Sequence, residues 1–91
     1  MLKLQDVING IKVGHKYKNQ YFALAVRTND APTVEVLINH YAVMDEKIEY
    51  INSTYNENCK HKFANVIIED FAVGKDFDDI QIALRLKEVG F

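Results

Sequence analysis

The chain has 91 residues, 48% hydrophobic and 26% charged, with five Tyr, five Phe and a formal net charge of -2. That size and composition predict one domain over residues 1–91 and exclude a disordered tail, which would be poorer in Ile, Val, Leu and Phe. A balanced charge excludes a protein whose main task is neutralising many phosphates, and no apolar run approaches the roughly 18 residues of a membrane span.

The opening Met1-Leu2-Lys3-Leu4-Gln5-Asp6 has neither the apolar stretch nor the cleavage site of a signal peptide, and Cys59 has no second cysteine to pair with. Both features predict a reducing, cytoplasmic setting. Charge is unevenly placed: residues 1–28 carry five basic residues against one acidic, and residues 29–58 carry six acidic against one basic. A basic beginning and an acidic middle are expected to lie near each other and attract.

Leu4, Val7, Ile8 and Ile11 follow helical spacing, which predicts a short helix over about residues 2 to 9, ended by Gly10 or Gly14. The competing signal is a hairpin at Asn9-Gly10. From Tyr21 the period becomes two, with Phe22, Leu24 and Val26 on one side and Tyr21, Ala23, Ala25 and Arg27 on the other, so about 21–27 is a strand. Thr28-Asn29-Asp30-Ala31-Pro32 breaks it.

Val34, Leu37, Tyr41, Met44, Ile48, Ile51 and Tyr55 fit one long helix by spacing alone, but Val34-Glu35-Val36-Leu37-Ile38 favours a strand. The preferred reading is a strand over about 33–39 pairing back onto 21–27, then a helix over about 42–57 that buries Met44, Ile48, Ile51 and Tyr55. Phe63 to Val73 reads as another strand, placed centrally by its run Val66-Ile67-Ile68. Ile80, Ile82, Leu84 and Leu86 alternate like a strand, yet Asp76 and Asp79 resemble a cap, so a helix over about 77–88 is preferred. The expected fold is α+β: a small, largely antiparallel sheet of about three strands, covered on one face by two or three helices.

Val34-Glu35-Val36-Leu37-Ile38-Asn39, Asp45-Glu46-Lys47-Ile48-Glu49-Tyr50, Thr54-Tyr55-Asn56-Glu57 and Asn65-Val66-Ile67-Ile68 together resemble small accessory proteins of phages and prophages of Gram-positive bacteria. The similarity covers about residues 20–72, with His40 where the family pattern has proline and Ile51 where it has a second tyrosine. It implies a mobile-element setting in a bacterial host cell and a strand-then-helix order, and it carries over no site residues.

Chemistry-bearing constellations are sparse. Cys59-Lys60-His61 with His40 or His15 falls short of the four-ligand spacing of a structural zinc site, and Asp76-Phe77-Asp78-Asp79 lacks the glycine and closing glutamate of a calcium loop. Cys59 has basic neighbours but no orienting third group, the one serine is Ser53, and the scattered glycines form no phosphate loop. No enzyme activity, metal or cofactor is therefore expected.

Binding is the remaining class. Glu35, Asp45, Glu46 and Glu49 form a candidate partner-binding set for a host protein with a basic surface. Val43 and Tyr50, seven residues apart and off the core row, are candidates for self-association into a homodimer. The leading expectation is an accessory protein that binds and inhibits or modulates a host protein, such as a defence nuclease. The alternative is a nucleic-acid-binding module using Lys12, Lys16, Tyr17, Lys18 and Tyr21, where cations and rings interleave. A pocket sequestering a nucleotide signal is a third reading.

Overall fold

The computed structural model describes residues 2–88. In chain order it contains α1 (Leu4–Lys16), β1 (Tyr21–Thr28), β2 (Glu35–His40), a 3-10 turn (Tyr41–Val43), α2 (Met44–Thr54), β3 (Val66–Gly74) and α3 (Phe77–Glu88). The sheet is antiparallel with strand order β2-β1-β3. The α+β class and the three-stranded antiparallel sheet are as the sequence predicts. Among the described residues no helix is long and apolar enough to cross a membrane.

The alternation in β1 sorts the core into two layers. Phe22, Leu24 and Val26 join Leu4, Val7, Ile8 and Ile11 of α1, Ile48 and Ile51 of α2, and Tyr41, Tyr55, Cys59 and Ile68. Ala23 and Ala25 point the other way and, with Ala72, meet Ile80 and Leu84 of α3. Two helices thus cover one face, while α3 crosses the opposite one, where alanines leave room for it; the expectation of helices on one face alone is corrected to helices on both.

Helix α1 runs seven residues past the predicted end, and no hairpin forms at Asn9-Gly10. Neither glycine ends it, because both serve packing: a Cβ on Gly10 would lie 2.2 Å from Cε2 of Phe71, and one on Gly14 would lie 2.5 Å from Oη of Tyr41 and 2.7 Å from Cγ1 of Val73. The missing side chains let α1 settle onto the sheet. Tyr41 completes the contact, its buried hydroxyl donating to the carbonyl of Ile11 at 2.7 Å. Burial pushes that hydroxyl's pKa up to about 12.

The strand-then-helix order expected over residues 33–57 holds, although α2 stops at Thr54 and Met44 is only partly buried; the switch is at His40, whose Nδ1 accepts from the amide of Ala42 at 3.0 Å. Between β1 and β2, Asn29 and Asp30 both take left-handed φ values of 53° and 57°, the conformation of a tight hairpin turn. Arg27 braces this turn by donating to the carbonyl of Ala31 and pairing through Nε and Nη2 with Glu69 at 2.5 and 3.1 Å. Glu69 reaches it from a bulge in β3, since Ala25 faces Asp70 and Val26 faces Ile68. At α3, Asp76 accepts from the Asp79 amide at 2.9 Å and Asp79 from the Lys75 amide at 3.2 Å, the reciprocal cap that the sequence predicts.

Two further expectations need correcting. The central strand is β1, whose Phe22–Val26 are all buried, and β3 is an edge strand despite its apolar run. β3 also begins only at Val66, so Phe63 lies in the preceding loop and is 85% exposed. The basic and acidic segments do meet where α1 packs on α2. Among the described residues, however, the ion pair is Arg27–Glu69, and none joins the two helices.

Two measurements test this packing. Alanine exceeds glycine in helix propensity by about 1 kcal/mol, while an overpacked methyl costs about 1–3 kcal/mol. Gly14→Ala should therefore lower the urea midpoint, and a raised midpoint would show that α1 does not press on Tyr41 and Val73. For Tyr41, the folded state holds the phenolic proton more tightly than the unfolded chain, so its stabilisation is complete below pH 10.0 and falls as pH rises toward about 12. Tyr41→Phe should lose about 1 kcal/mol at neutral pH with the hydrogen bond and show a shallower alkaline decline.

Candidate functional site

The corner where α1 ends and β2 passes into α2 concentrates the candidate residues. The last turn of α1 is closed by local bonds: the Lys18 amide donates to the His15 carbonyl at 3.0 Å, and the Asn19 side chain donates to the Gly14 carbonyl at 2.9 Å. Lys18 takes a left-handed φ of 62°, which turns the chain into β1. Gln20 then donates to Gly74 at 3.1 Å and accepts from Tyr41 at 3.0 Å. These bonds fix the end of α1 against the ends of β2 and β3.

The result is an open basin of about 780 Å³, whose walls include His15, Lys16, Lys18, His40 and Tyr41, with Asn19, Gln20 and Ala42 completing them. Among the described residues no acidic side chain lines it. The His15 ring lies 5.1 Å from that of Tyr41, and the His40 ring meets Tyr21 edge-on at 5.4 Å. The structure therefore brings Lys16 and Lys18 together with His15, which heads the same basic and aromatic segment, and adds His40, which the sequence offers only as a metal-ligand fragment. Of the other residues in that set, Lys12 is exposed one turn earlier on α1 and Tyr17 is 76% exposed. Tyr21 is half-buried, with the Phe77 ring also edge-on to it at 5.0 Å.

The acidic set is partly assembled. Asp45, Glu46 and Glu49 are exposed on the first turns of α2, whereas Glu35 starts β2 opposite Val26, at the far end of the strand from the turn into α2. Val43, 38% exposed, and Tyr50, 50% exposed, bracket these acids along the chain, the latter with Nζ of Lys47 at 5.5 Å from its ring centre. Val43 follows Ala42 of the basin wall, so the start of the apolar ridge, with the acids of α2 just beyond it in the chain, adjoins the basic concavity.

Elsewhere the chemistry is quiet. Among the described residues no three His, Cys, Asp or Glu side chains converge as metal ligands. Cys59 is 1% exposed, and burial pushes its thiol up, away from the reactive thiolate. His61 packs edge-on to Tyr55. A cleft of about 300 Å³ on the α3 face runs between Thr33, Val34, Val36, Asp70 and Leu84, but its cation, Arg27, is engaged by Glu69 and the Ala31 carbonyl.

The Lys16–Lys18 cluster and the Val43–Tyr50 ridge are both legible in the sequence; the contribution of His40 arises from strand pairing, which sets it opposite Tyr21. Comparison with known proteins gives no further identification: no family model, curated protein or solved structure matches the chain.

Proposed function

We propose that this chain is a non-enzymatic binding protein whose partner is another protein, engaged at the corner formed by the Val43–Tyr50 ridge, the acids of α2 and the adjoining basic basin. The observation that carries this reading is the contiguity of exposed apolar side chains with charges of both signs. Apolar anchors within a charged rim suit a folded partner, whereas a long polyanion crossing the basin would meet Asp45 and Glu46 beyond Ala42. With the resemblance to phage accessory proteins, the reading becomes an accessory factor that inhibits or modulates a bacterial host protein. Its partner carries basic groups opposite Asp45, Glu46 and Glu49.

Capture from a Gram-positive bacterial lysate tests it. The wild-type chain should retain a protein that Val43→Glu and Tyr50→Ala variants lose, and the triple reversal Asp45→Lys, Glu46→Lys, Glu49→Lys should slow its association, since complementary charge acts chiefly on encounter. Identical retained sets for wild type and variants would overturn the proposal.

A second reading is favoured by the absence of acids from the basin wall: a phosphate-bearing ligand held by His15, Lys16, Lys18 and His40, with single-stranded nucleic acid as the extended case. Fluorescence polarisation with random single-stranded DNA at low salt separates the two. Under the leading reading no binding is seen at micromolar protein. Salt-sensitive binding that Lys16→Glu with Lys18→Glu abolishes would transfer the function to the basin.

A further inference from the structure

We infer that two copies of this chain pair through the outer edge of β2, joining their sheets into one antiparallel sheet of six strands. The two edges of the sheet are treated differently. Beside β3, the Ile68 amide donates to the Cys59 carbonyl at 2.9 Å and the His61 amide to the Val66 carbonyl at 2.8 Å, and the Glu69 bulge interrupts the strand. Beside β2, no strand or bridge is formed among the described residues. Its sequence Glu35-Val36-Leu37-Ile38-Asn39-His40 contains no proline, glycine, lysine or bulge, the devices that ordinarily keep an edge from pairing.

The side chains agree with this. Val36 and Leu37 point to opposite faces of the sheet, and each is 41% exposed, so on both faces the strand leaves apolar surface open. Apolar surface is thus offered on both sides of a free ladder.

The occupant is a second copy because the strand is self-complementary. A two-fold axis perpendicular to the sheet keeps each side chain on its own face, so the residue at the axis lies opposite itself. With Leu37 there, Val36 meets Ile38 of the other copy, and Glu35, the strand's carboxylate, meets the Asn39 amide. Centring on Val36 sets Glu35 against Leu37, and centring on Ile38 sets Val36 against His40. Only the Leu37 register matches apolar to apolar while keeping the carboxylate beside a polar partner. The contact leaves the Val43–Tyr50 ridge free for another protein.

Sedimentation equilibrium at tens of micromolar should give twice the chain mass for the wild type. Leu37→Lys should halve it without altering the circular dichroism spectrum, as the position is half exposed. A second variant fixes the register: Leu37→Cys should form an intermolecular disulfide on oxidation, because directly opposed Cβ atoms lie about 4.5–5.5 Å apart. Glu35→Cys should not, its copies being about 13 Å apart at roughly 3.3 Å per residue. The buried Cys59 does not compete. A monomeric wild type, a dimer that survives Leu37→Lys but dissociates with Val43→Glu, or equal cross-linking at both cysteine positions would each overturn the proposal.

Discussion

Residues Phe22 to Val26 are buried without a gap, a condition a strand meets only when neighbours bond to both its edges and layers pack on both its faces. In a chain this short, one strand enclosed in that way must organise everything else. The hairpin turn at Asn29-Asp30 and the return of β3 supply the edges; α1 with α2 and then α3 supply the faces. β2 and β3 contact β1 directly, and α1 and α3 lean mainly on β3 while adding their side chains to the two layers that β1 separates.

The corner that bears the candidate surface inherits its rigidity from the same arrangement. Gln20, at the entrance to β1, bonds both to Gly74 at the end of β3 and to Tyr41 beyond β2, and Tyr41 reaches Ile11 through its hydroxyl. Three strand ends and one helix end are therefore tied within a few residues. Lys16, Lys18 and His40 project from tied backbone, and the ridge at Val43 starts only two residues past Tyr41. A surface built this way needs little ordering when something docks, which reduces the entropic cost of binding.

What the sequence reveals and conceals follows from where each signal arises. The strand at 21–27 is legible because its large and small side chains alternate; the start of α3 is legible because Asp76 and Asp79 cap locally. The length of α1 is concealed, since Gly10 and Gly14 look like stops until Phe71, Tyr41 and Val73 arrive from elsewhere in the chain. The run Val66-Ile67-Ile68 misleads in the same manner: its burial comes from the segment around Cys59 folding over the strand's outer side, not from a fourth strand. Lys16 and Lys18 can be read as a cluster from their spacing, but the addition of His40 depends on the register that places it opposite Tyr21. Glu35 is set apart from the acids of α2 by the strand-then-helix reading, and the direction of β2 carries it to the far end of that strand.

The two faces of β1 also differ in how they are filled. Toward α1 and α2 stand Phe22, Leu24 and Val26, and toward α3 stand Ala23 and Ala25, with Ala72 beside them on β3. Large side chains fill space by their own volume, so that face suffers when atoms are removed and a void remains. Small ones define space by what they leave out, so the α3 face suffers when atoms are added and the helix is pushed away. Successive codons of one strand therefore face opposite selection on size, and a library varying residues 22 to 25 should accept changes in a strict alternation: contraction penalised at even positions, expansion at odd ones.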